Sequence, residues 1–343
     1  MNQRIAIHHY PGDFSDRWIE YCQEKGIEYE IVDCYRNDII SVMNDFDILL
    51  WSWNLSHHES LQYAKELIYS LETMGKKVFP DFRTSFFYDN KVGQKYILEA
   101  INAPVVPTYV FYDENRAKQW AEQTTFPKVF KLSGGAGSMN VRLCRTQKEA
   151  LKLIHRSFSK GFSQVNRWAW FLDKVKKFRE KPSKETLIKF VKAFVRLFIP
   201  TEKEKVMSRE KGYTYFQEFI PENTFDIRVI VIGEKAFALK RLCREDDFRA
   251  SGSGKIIYDK KQIDNRCIQM AFDTSNKLDV QCMAYDFVFS EANEPMIVEM
   301  SYHFAAYAYD QCEGYWDQTM FWHDEKVNPQ HMIISMLLNI ENN

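Results

Sequence analysis

The sequence predicts an α/β protein in which a parallel sheet is followed by two regions of mixed α and β structure. Apolar strands alternate with amphipathic helices over the first 80 residues, and this alternation is typical of a parallel sheet. Residues 126–145 have the pattern of a strand, a glycine-rich loop and a second strand. Residues 214–247 have the pattern of a strand followed by a hairpin, which adds antiparallel structure.

The first region has four short apolar strands, predicted over residues 4–10, 27–35, 47–53 and 76–82. The helices between them are predicted over 13–26, 38–46 and 59–75, with Ser15 or Asp16 as the first N-cap and Gly75 ending the last. Ligands of parallel sheets bind beyond the carboxyl ends of the strands. Near those ends are side chains that either contact a sugar or belong to the core and the surface: Tyr10, Trp51, Trp53, His8, His9, His57 and His58.

The remaining elements follow in order along the chain. A helix over 89–103 and a strand over 104–112 are predicted before the glycine-rich loop. After the hairpin, we expect a helix near 260–277, strands over 280–289 and 295–300, and a final helix after Pro329.

Composition narrows the class of protein. The chain has 343 residues, which favours two or three domains, and its net charge of −1 provides no attraction to nucleic acid. Its seven cysteines form no CxxC pair, which argues against a disulfide framework or a zinc site. No leader pattern is present, and no apolar run reaches the ~20 residues of a membrane span. We therefore expect a cytoplasmic protein without a nucleic-acid partner.

One segment, residues 156–211, differs from the rest in charge. It contains sixteen Lys and Arg against six Asp and Glu, a net charge of +10, which leaves the remainder near −11. A helix predicted over 185–199 has Lys189, Lys192 and Arg196 on one stripe and apolar residues around the rest. Such a helix indicates peripheral contact with a membrane or an anionic glycan. The alternative is a lid helix that packs on the body with its lysines in solvent.

The glycine-rich loop is a candidate phosphate site. Lys131 ends a predicted strand, and Gly134, Gly135 and Gly137 follow within the sequence SGGAGS. Glycines let backbone N–H groups approach an anion closely, and a lysine nearby neutralises phosphate charge. The loop lacks the Walker pattern GxxxxGK[ST], so a simple tight turn is the alternative.

Two further stretches have residues suited to a nucleotide. Gln217 to Ile220 is an extended link whose backbone groups are able to pair with an adenine edge. Asp226 and Arg228 then alternate onto one side of a strand, where an ordinary surface ion pair is the competing interpretation. Arg249 precedes a Ser/Gly run and has the fork geometry that holds phosphoryl oxygens.

Asp286 and Glu299 are carboxylates within apolar strands. If the two strands are neighbours, the carboxylates converge, and like charges so close need a cation. Mg²⁺ held against nucleotide phosphates satisfies this need, because it prefers oxygen ligands. Two separate ion pairs are the competing explanation.

Taken in order from Asp89 to Tyr302, and without the basic insert, these residues resemble the ATP-grasp superfamily. They are most similar to its carboxylate–amine ligase branch, which includes the ribosomal protein glutamate ligases. The resemblance implies an ATP-grasp fold: an N-terminal parallel α/β domain (1–83) followed by two α+β lobes that clamp ATP. The first lobe would cover 84–216, with its linker helix and the insert 156–211, and the second 217–343.

The resemblance also implies roles for individual residues. The nucleotide would be bound by Lys91 (or else Lys95), Lys131, the loop residues Gly134, Gly135, Gly137 and Ser138, the hinge residues Glu218, Phe219 and Ile220, and Asp226. The catalytic residues would be Arg228, in the Asp-x-Arg pattern of the family, and Arg249, which would stabilise the transferring phosphoryl group. The metal, Mg²⁺ with Mn²⁺ as an alternative, would be held by Asp286, Glu299 and Ser301, with Tyr302 and His303 beside the phosphoryl group.

The sequence departs from the family pattern in two places. Ser301 stands where the family has a metal-binding Asn, and Ala250-Ser251 stands where it has Ser-Asn. The implied reaction is amide formation between a small-molecule or glycan carboxylate and an amine through an acylphosphate. Similarity to ATP-grasp proteins of polysaccharide synthesis points to a uronic-acid-type sugar as the acid. A small-molecule or sugar kinase and a nucleotide-binding module without turnover are the alternatives.

Overall fold

The first sheet is the parallel one that the sequence predicts. The structure, a computed structural model, describes residues 3–55, 57–134, 140–163, 167–199, 204, 208–244 and 247–339. Four strands lie in the order β2-β1-β3-β4: β1 (Ile5–Ile7), β2 (Tyr29–Ile31), β3 (Ile48–Leu50) and β4 (Lys77–Phe79). All adjacent pairs are parallel, and the connecting helices are α1 (Phe14–Lys25), α2 (Ile39–Val42) and α3 (His58–Thr73).

One expectation for this sheet is wrong, and the core alternative for two tryptophans is confirmed. The N-cap of α1 is Asp13, whose carboxylate accepts the Phe14 N–H at 2.7 Å, rather than Ser15 or Asp16. Trp51 and Trp53 are 1% and 2% exposed, so neither indole is available to stack on a sugar. Both follow β3, which is buried on both faces, and they extend the core of the sheet.

The second sheet is antiparallel and lies in the middle of the chain. Its strands have the order β5-β8-β6-β7: β5 (Thr108–Phe111), β6 (Lys128–Lys131), β7 (Arg142–Cys144) and β8 (Thr214–Glu218). The helices of this region are α4 (Phe82–Phe86), α5 (Lys91–Ala100), α6 (Glu114–Gln123) and α7 (Gln147–Phe158). A small core of its own includes Ala117, Phe130, Ile154 and Phe216.

The basic insert forms two helices between α7 and β8. They are α8 (Arg167–Glu180) and α9 (Lys184–Phe198), and Ser183 and Thr186 form a reciprocal capping box at the start of α9. Phe162 and Glu210 pair in an isolated β-bridge, which joins the two ends of the segment. Within the described residues, no helix combines the length and the apolar character that crossing a bilayer requires.

The third sheet is the largest. Its strands have the order β13-β12-β9-β10-β14-β15, with β11 paired to β10: β9 (Phe225–Ile232), β10 (Lys235–Leu242), β11 (Ile256–Ile257), β12 (Cys282–Phe289), β13 (Pro295–Ser301), β14 (Tyr315–Asp317) and β15 (Trp322–His323). Helix α10 (Asn265–Leu278) contacts β9, β10 and β12. The last helix, α11 (Pro329–Leu338), packs on α1 and β4, so the C-terminal segment returns to the first sheet.

Candidate active site

A cavity of about 270 Å³ lies between the second and third sheets. Its walls come from the start of α5, from β6, β8, β9, β12 and β13, and from the link after β10. Apolar side chains such as Val106, Val129, Phe248 and Val288 line part of it, as a flat ring ligand requires. Eleven of the residues to which the sequence assigned nucleotide, catalytic or metal roles line it too: Lys91, Lys131, Glu218, Phe219, Ile220, Asp226, Arg228, Arg249, Asp286, Glu299 and Ser301.

Lys91, rather than Lys95, is the lysine of α5 that reaches the cavity. It is the first residue of the helix, capped by Asn90, and its Nζ lies 3.1 Å from Glu299 Oε1. Burial disfavours its charge, but the nearby acids Glu299, Asp89 and Glu210 together outweigh burial, and the pKa of Lys91 is raised. Lys95 lies one turn further along, and its Nζ pairs with Glu99 at 2.5 Å.

Lys131 ends β6 inside the protein. Its Nζ donates to Gln217 Oε1 at 2.6 Å, and the residue is only 5% exposed. Burial lowers its pKa to about 8, and the neighbouring Lys91 adds to the shift. The site therefore holds a lysine that gains from an anionic ligand, because such a ligand would stabilise the charged form.

Four charged residues form a network on three adjacent strands. Arg228 donates to both oxygens of Asp286, at 2.5 and 2.7 Å, across the β9–β12 pair. Arg241 donates to both oxygens of Asp226, at 2.7 and 2.6 Å, across the β9–β10 pair, and lies 3.0 Å from Asp286. Burial opposes ionisation of Asp286, but the two guanidinium groups hold its pKa far below the ordinary value. Two acids and two arginines thus balance in charge.

Arg241 is part of this network, and the sequence interpretation missed it. The hairpin turn at residues 233–234 places Ile232 opposite Lys235, and counting back along both strands places Asp226 opposite Arg241. The turn residues can be recognised in the sequence, and they fix this register. The pairing of Asp226 with Arg241 could therefore have been predicted.

The convergence of Asp286 and Glu299 is confirmed by the strand register. The two residues are direct partners in the antiparallel β12–β13 pair, next to a bulge. In the structure each acid is paired with cations, Asp286 with Arg228 and Arg241, and Glu299 with Lys91. The ion-pair interpretation therefore describes these two acids as the structure has them. Binding of a metal by the same acids stays a prediction.

The oxygen atoms present nevertheless fit a hard divalent cation. A carboxylate has about four lone-pair sites, and the arginines use three of those of Asp286, two of them on Oδ2. Within the described part of the chain, Glu299 pairs with Lys91 through Oε1, and Oε2 retains lone pairs for an ion. Ser301 lines the cavity and donates its hydroxyl to His303 O at 2.8 Å, so its lone pairs are left for a ligand. Magnesium is commonly held by one or two carboxylates together with substrate phosphates.

The predicted hinge follows β8 directly. Glu218, its last residue, accepts from Lys128 Nζ at 2.7 Å and from the Tyr109 hydroxyl at 2.9 Å. These contacts hold the carboxylate against its own sheet, while Phe219 and Ile220 line the cavity next to it. Phe219 and Ile220 therefore give the hinge an apolar surface in the cavity, directly after the extended backbone of β8.

Arg249 lies on the link after β10. Its Nε donates to both carboxylate oxygens of Asp247, at 2.9 Å each, its Nη2 donates to Oδ2 at 2.6 Å, and the residue lines the cavity. The guanidinium is thus held in place at the cavity wall by an acid two residues away. Its role toward a phosphoryl group stays a prediction.

The start of the glycine-rich loop binds an anion from the protein itself. The N–H groups of Ser133 and Gly134 donate to the two oxygens of Glu210, at 3.0 and 3.1 Å, and the Tyr213 hydroxyl also bonds this carboxylate. The loop amides therefore have the anion-binding property that the glycines predict. The predicted residues Gly135, Gly137 and Ser138 lie outside the described residues. Glu210 has no sequence pattern that links it to the loop.

Of the two residues expected beside the phosphoryl group, only His303 lines the cavity. Tyr302 is buried, and its hydroxyl donates to the Trp53 backbone carbonyl, so that expectation is wrong. The His303 ring instead contacts the first region of the chain: it stacks on Phe14, and its Nε2 lies 3.1 Å from Asp13 Oδ1. The N-cap of α1 thus also supports the cavity wall.

Comparison with known sequences finds two matches. The RimK-like ATP-grasp domain family matches residues 173–307. The α-aminoadipate–LysW ligase LysX of Saccharolobus solfataricus is 28% identical over 121 residues, which are 34% of this chain and 42% of that protein. The match with this curated relative therefore spans less than half of its length.

Comparison with solved structures identifies the fold. A RimK domain ATP-grasp protein from Sphaerobacter thermophilus aligns with a TM-score of 0.57 and 14% identity, covering 98% of this chain and 99% of that chain. The biotin carboxylase domain of the Hydrogenobacter thermophilus 2-oxoglutarate carboxylase aligns with a TM-score of 0.60 and 13% identity, covering 98% and 69%. These likenesses confirm the predicted ATP-grasp fold. The chain therefore has an ATP-grasp fold, and its residues 173–307 are similar to the RimK-like ATP-grasp domain family.

Proposed function

We propose that the protein is an ATP-dependent carboxylate–amine ligase. The observation that supports this most is the cavity itself, which brings Lys91 and Lys131 together with a pair of facing carboxylates between the two sheets. Its apolar edge suits an adenine ring, and its cationic end suits phosphates. The α-aminoadipate–LysW ligase LysX and the solved ATP-grasp structures agree with this assignment.

The reaction would occur in two steps. A substrate carboxylate oxygen attacks the γ-phosphorus of ATP, the bond to the β-phosphate oxygen breaks, and an acylphosphate and ADP form. An amine then attacks the acyl carbon, the bond to the phosphate oxygen breaks, and phosphate leaves with its electron pair and takes up the proton that the amine nitrogen loses. Lys91, Lys131 and Arg249 would hold phosphate oxygens in place and balance their charge.

Other residues would position the substrates. Asp286, Glu299 and Ser301 would hold Mg²⁺, or Mn²⁺, which takes the same oxygen ligands. The ion supplies charge neutralisation between the phosphate groups when it is bound. Arg228 would orient Asp286 through its two hydrogen bonds. Phe219 and Ile220 would contact adenine, and Glu218 would fix the hinge by its bonds to Lys128 and Tyr109.

For the acid, we propose a uronic-acid-type sugar of a surface polysaccharide, in line with the resemblance to ATP-grasp proteins of polysaccharide synthesis. An amino acid is a reasonable amine to test. We place the reaction in the cytoplasm, which the seven unpaired cysteines support, because thiols persist in reducing compartments.

A screen of acid and amine pairs tests the proposal. The purified protein is incubated with Mg-ATP, uronic acids or amino acids as the acid, and amines, and both ADP release and product mass are measured. The ligase predicts ADP and phosphate in equal amounts, together with an amide that lacks one water relative to its two substrates. A stable phosphoester without free phosphate would instead identify a kinase. Tight ATP binding without ADP release from any pair would favour the non-catalytic alternative.

The affinity for ATP is expected to fall as pH rises above about 8. Lys131, with a pKa of about 8, loses its charge in this range, whereas Lys91 has a raised pKa and keeps its charge. Each further pH unit should weaken binding by up to about tenfold. Calorimetry with a non-hydrolysable ATP analogue measures this slope. The variant Lys131→Arg stays charged and should show a flat profile, so equal slopes in the two proteins would refute the role of Lys131.

A further inference from the structure

The insert helices pack on each other through aromatic side chains. The Phe190 ring of α9 lies 5.7 Å from Phe171 and 5.8 Å from Phe178 of α8, measured between ring centroids. Arg167 of α8 also donates to the Leu197 carbonyl at 3.2 Å. We call this unit, residues 167–199, the insert hairpin. The packing centres on the face of α9 that carries Phe190, and Phe194 and Arg196 on either side of it also contact Phe171 and Trp170 of α8.

A second face of α9 is apolar and exposed. At about 100° per residue, six side chains fall within an arc of about 120°. Each of them is between 45% and 73% exposed: Leu187, Ile188, Val191, Phe194, Val195 and Phe198. Trp168 and Leu172 of α8 are exposed as well, at 61% and 47%. A short unit with so many exposed large apolar side chains indicates a surface that a membrane or another molecule covers.

The third face of α9 is basic. Lys189, Lys192 and Arg196 are exposed and fall within an arc of about 60°, directly beside the apolar face. Glu185 falls within the same arc and pairs with Lys189, so three basic groups against one acid keep this face positive. Lys181 and Lys184, at the tip of the hairpin, are exposed too. The partner of this surface must therefore combine negative charge with an apolar interior.

Three kinds of partner meet these conditions to different degrees. A second insert hairpin offers apolar surface but brings the same excess of positive charge, so the two would repel. An acidic polysaccharide matches the lysines but leaves the apolar face in water. An anionic lipid bilayer matches both, because lysines contact the headgroups while the apolar side chains enter the boundary of the acyl chains.

We propose that the insert hairpin is a peripheral membrane anchor that lies on an anionic bilayer with the apolar face of α9 embedded in it. The 15 residues of α9 extend about 22 Å, less than the roughly 30 Å of the hydrocarbon core, so the helix lies in the plane of the membrane. The proposal concerns the hairpin surface alone and is independent of the reaction at the cavity.

Vesicle co-sedimentation of the full chain tests the anchor. Two kinds of vesicle are used, phosphatidylcholine alone and phosphatidylcholine with about one third phosphatidylserine. The protein should bind the second kind and not the first. The triple variant Lys184→Gln/Lys189→Gln/Lys192→Gln should lower the partition coefficient about a hundredfold, since each lysine near an anionic surface contributes about fivefold. The triple variant Val191→Ser/Phe194→Ser/Phe198→Ser should lower it at least tenfold.

Matched controls change exposed lysines and exposed large aromatic side chains elsewhere on the surface. They are Lys25→Gln/Lys148→Gln/Lys261→Gln and Tyr69→Ser/Tyr112→Ser/Phe321→Ser, and both should bind vesicles as the unchanged protein does. Circular dichroism confirms that each variant is folded. Because vesicle binding needs neither ATP nor turnover, its failure would leave the ligase proposal intact.

Three results would overturn the anchor. Unchanged vesicle binding by the serine variant would mean that only charge attracts the hairpin to the surface. Binding to polygalacturonate but not to vesicles, equally in the serine variant, would identify an acidic glycan as the partner. A dimer in light scattering that the serine variant dissociates, without vesicle binding, would identify a second copy of the chain.

Discussion

Changing Glu299 to Gln is expected to reduce turnover by roughly a thousandfold, because it removes one of two facing carboxylates at the proposed metal site. Loss of the charge stabilisation that a metal provides is worth several kcal/mol, and about 4 kcal/mol corresponds to this factor. Gln keeps the size of the side chain and an oxygen for Lys91, whose Nζ lies 3.1 Å away. The measurements are ADP release and, separately, Mn²⁺ binding followed by electron paramagnetic resonance.

The control for this change is Glu294→Gln. Glu294 immediately precedes the same strand, β13, and pairs with Arg266 at 3.3 Å on the surface. It should leave both turnover and Mn²⁺ binding as they are. Full activity in the Glu299 variant would refute the metal site, whereas lost activity with unchanged Mn²⁺ binding would move the role of Glu299 to positioning Lys91.

Changing Asp286 to Asn is expected to lower the free energy of unfolding by about 3–5 kcal/mol. The substitution leaves Arg228 and Arg241 in the interior without the carboxylate that both of them contact, and an uncompensated buried charge costs about this much. Urea unfolding, followed by tryptophan fluorescence, measures the change. The variant Asp264→Asn breaks the partly exposed pair with Arg266 and should cost about 1 kcal/mol or less.

The difference in the free energy of unfolding between the unchanged protein and Asp286→Asn should also depend on pH, and it should become smaller at acidic pH. The pKa of Asp286 is lower in the folded protein than its ordinary value of about 3.9, so its stabilising contribution is complete above that pH. As pH falls below about 4 the contribution is lost progressively, and the gap between the unchanged protein and Asp286→Asn should narrow. A gap no larger than that of Asp264→Asn at neutral pH would refute the network as a source of stability.

The parts of the fold and of the site that could be predicted from the sequence are those whose residues form a local or repeating sequence pattern. The strands of the first sheet alternate with amphipathic helices, and β12 and β13 each hold one acid among apolar residues, so the two acids converge once these strands pair. The residues missed depend on contacts between distant parts of the chain. Asp13 meets His303 only after α1 packs against the third sheet, and no periodicity encodes that arrangement.

The N-cap of α1 illustrates the same limit at short range. Ser15, Asp16 and Asp13 are all good capping residues, and propensity does not choose among them. Tertiary contacts do: Asp13 also accepts from Ser52 and Asn54 of the next strand end, which fixes its position and so fixes where the helix begins. The roles of Trp51 and Trp53 were equally ambiguous. The sequence shows aromatic residues at the end of a strand, and this pattern is the same whether the indoles are buried in the core or bind a ligand.

The carboxylate of Glu210 accepts hydrogen bonds from the loop amides, so it would compete with a phosphate for the same N–H groups. Any phosphate that binds Ser133 and Gly134 must displace a tethered anion whose effective concentration is high, so weak anions at low concentration are excluded from the loop. Glu210 also pairs with Phe162 at the base of the insert. The loop and the insert thus share one residue, through its carboxylate and its backbone respectively. If a ligand at one place shifts Glu210 and so changes the affinity for a ligand at the other, thermodynamic linkage requires the two effects to be equal.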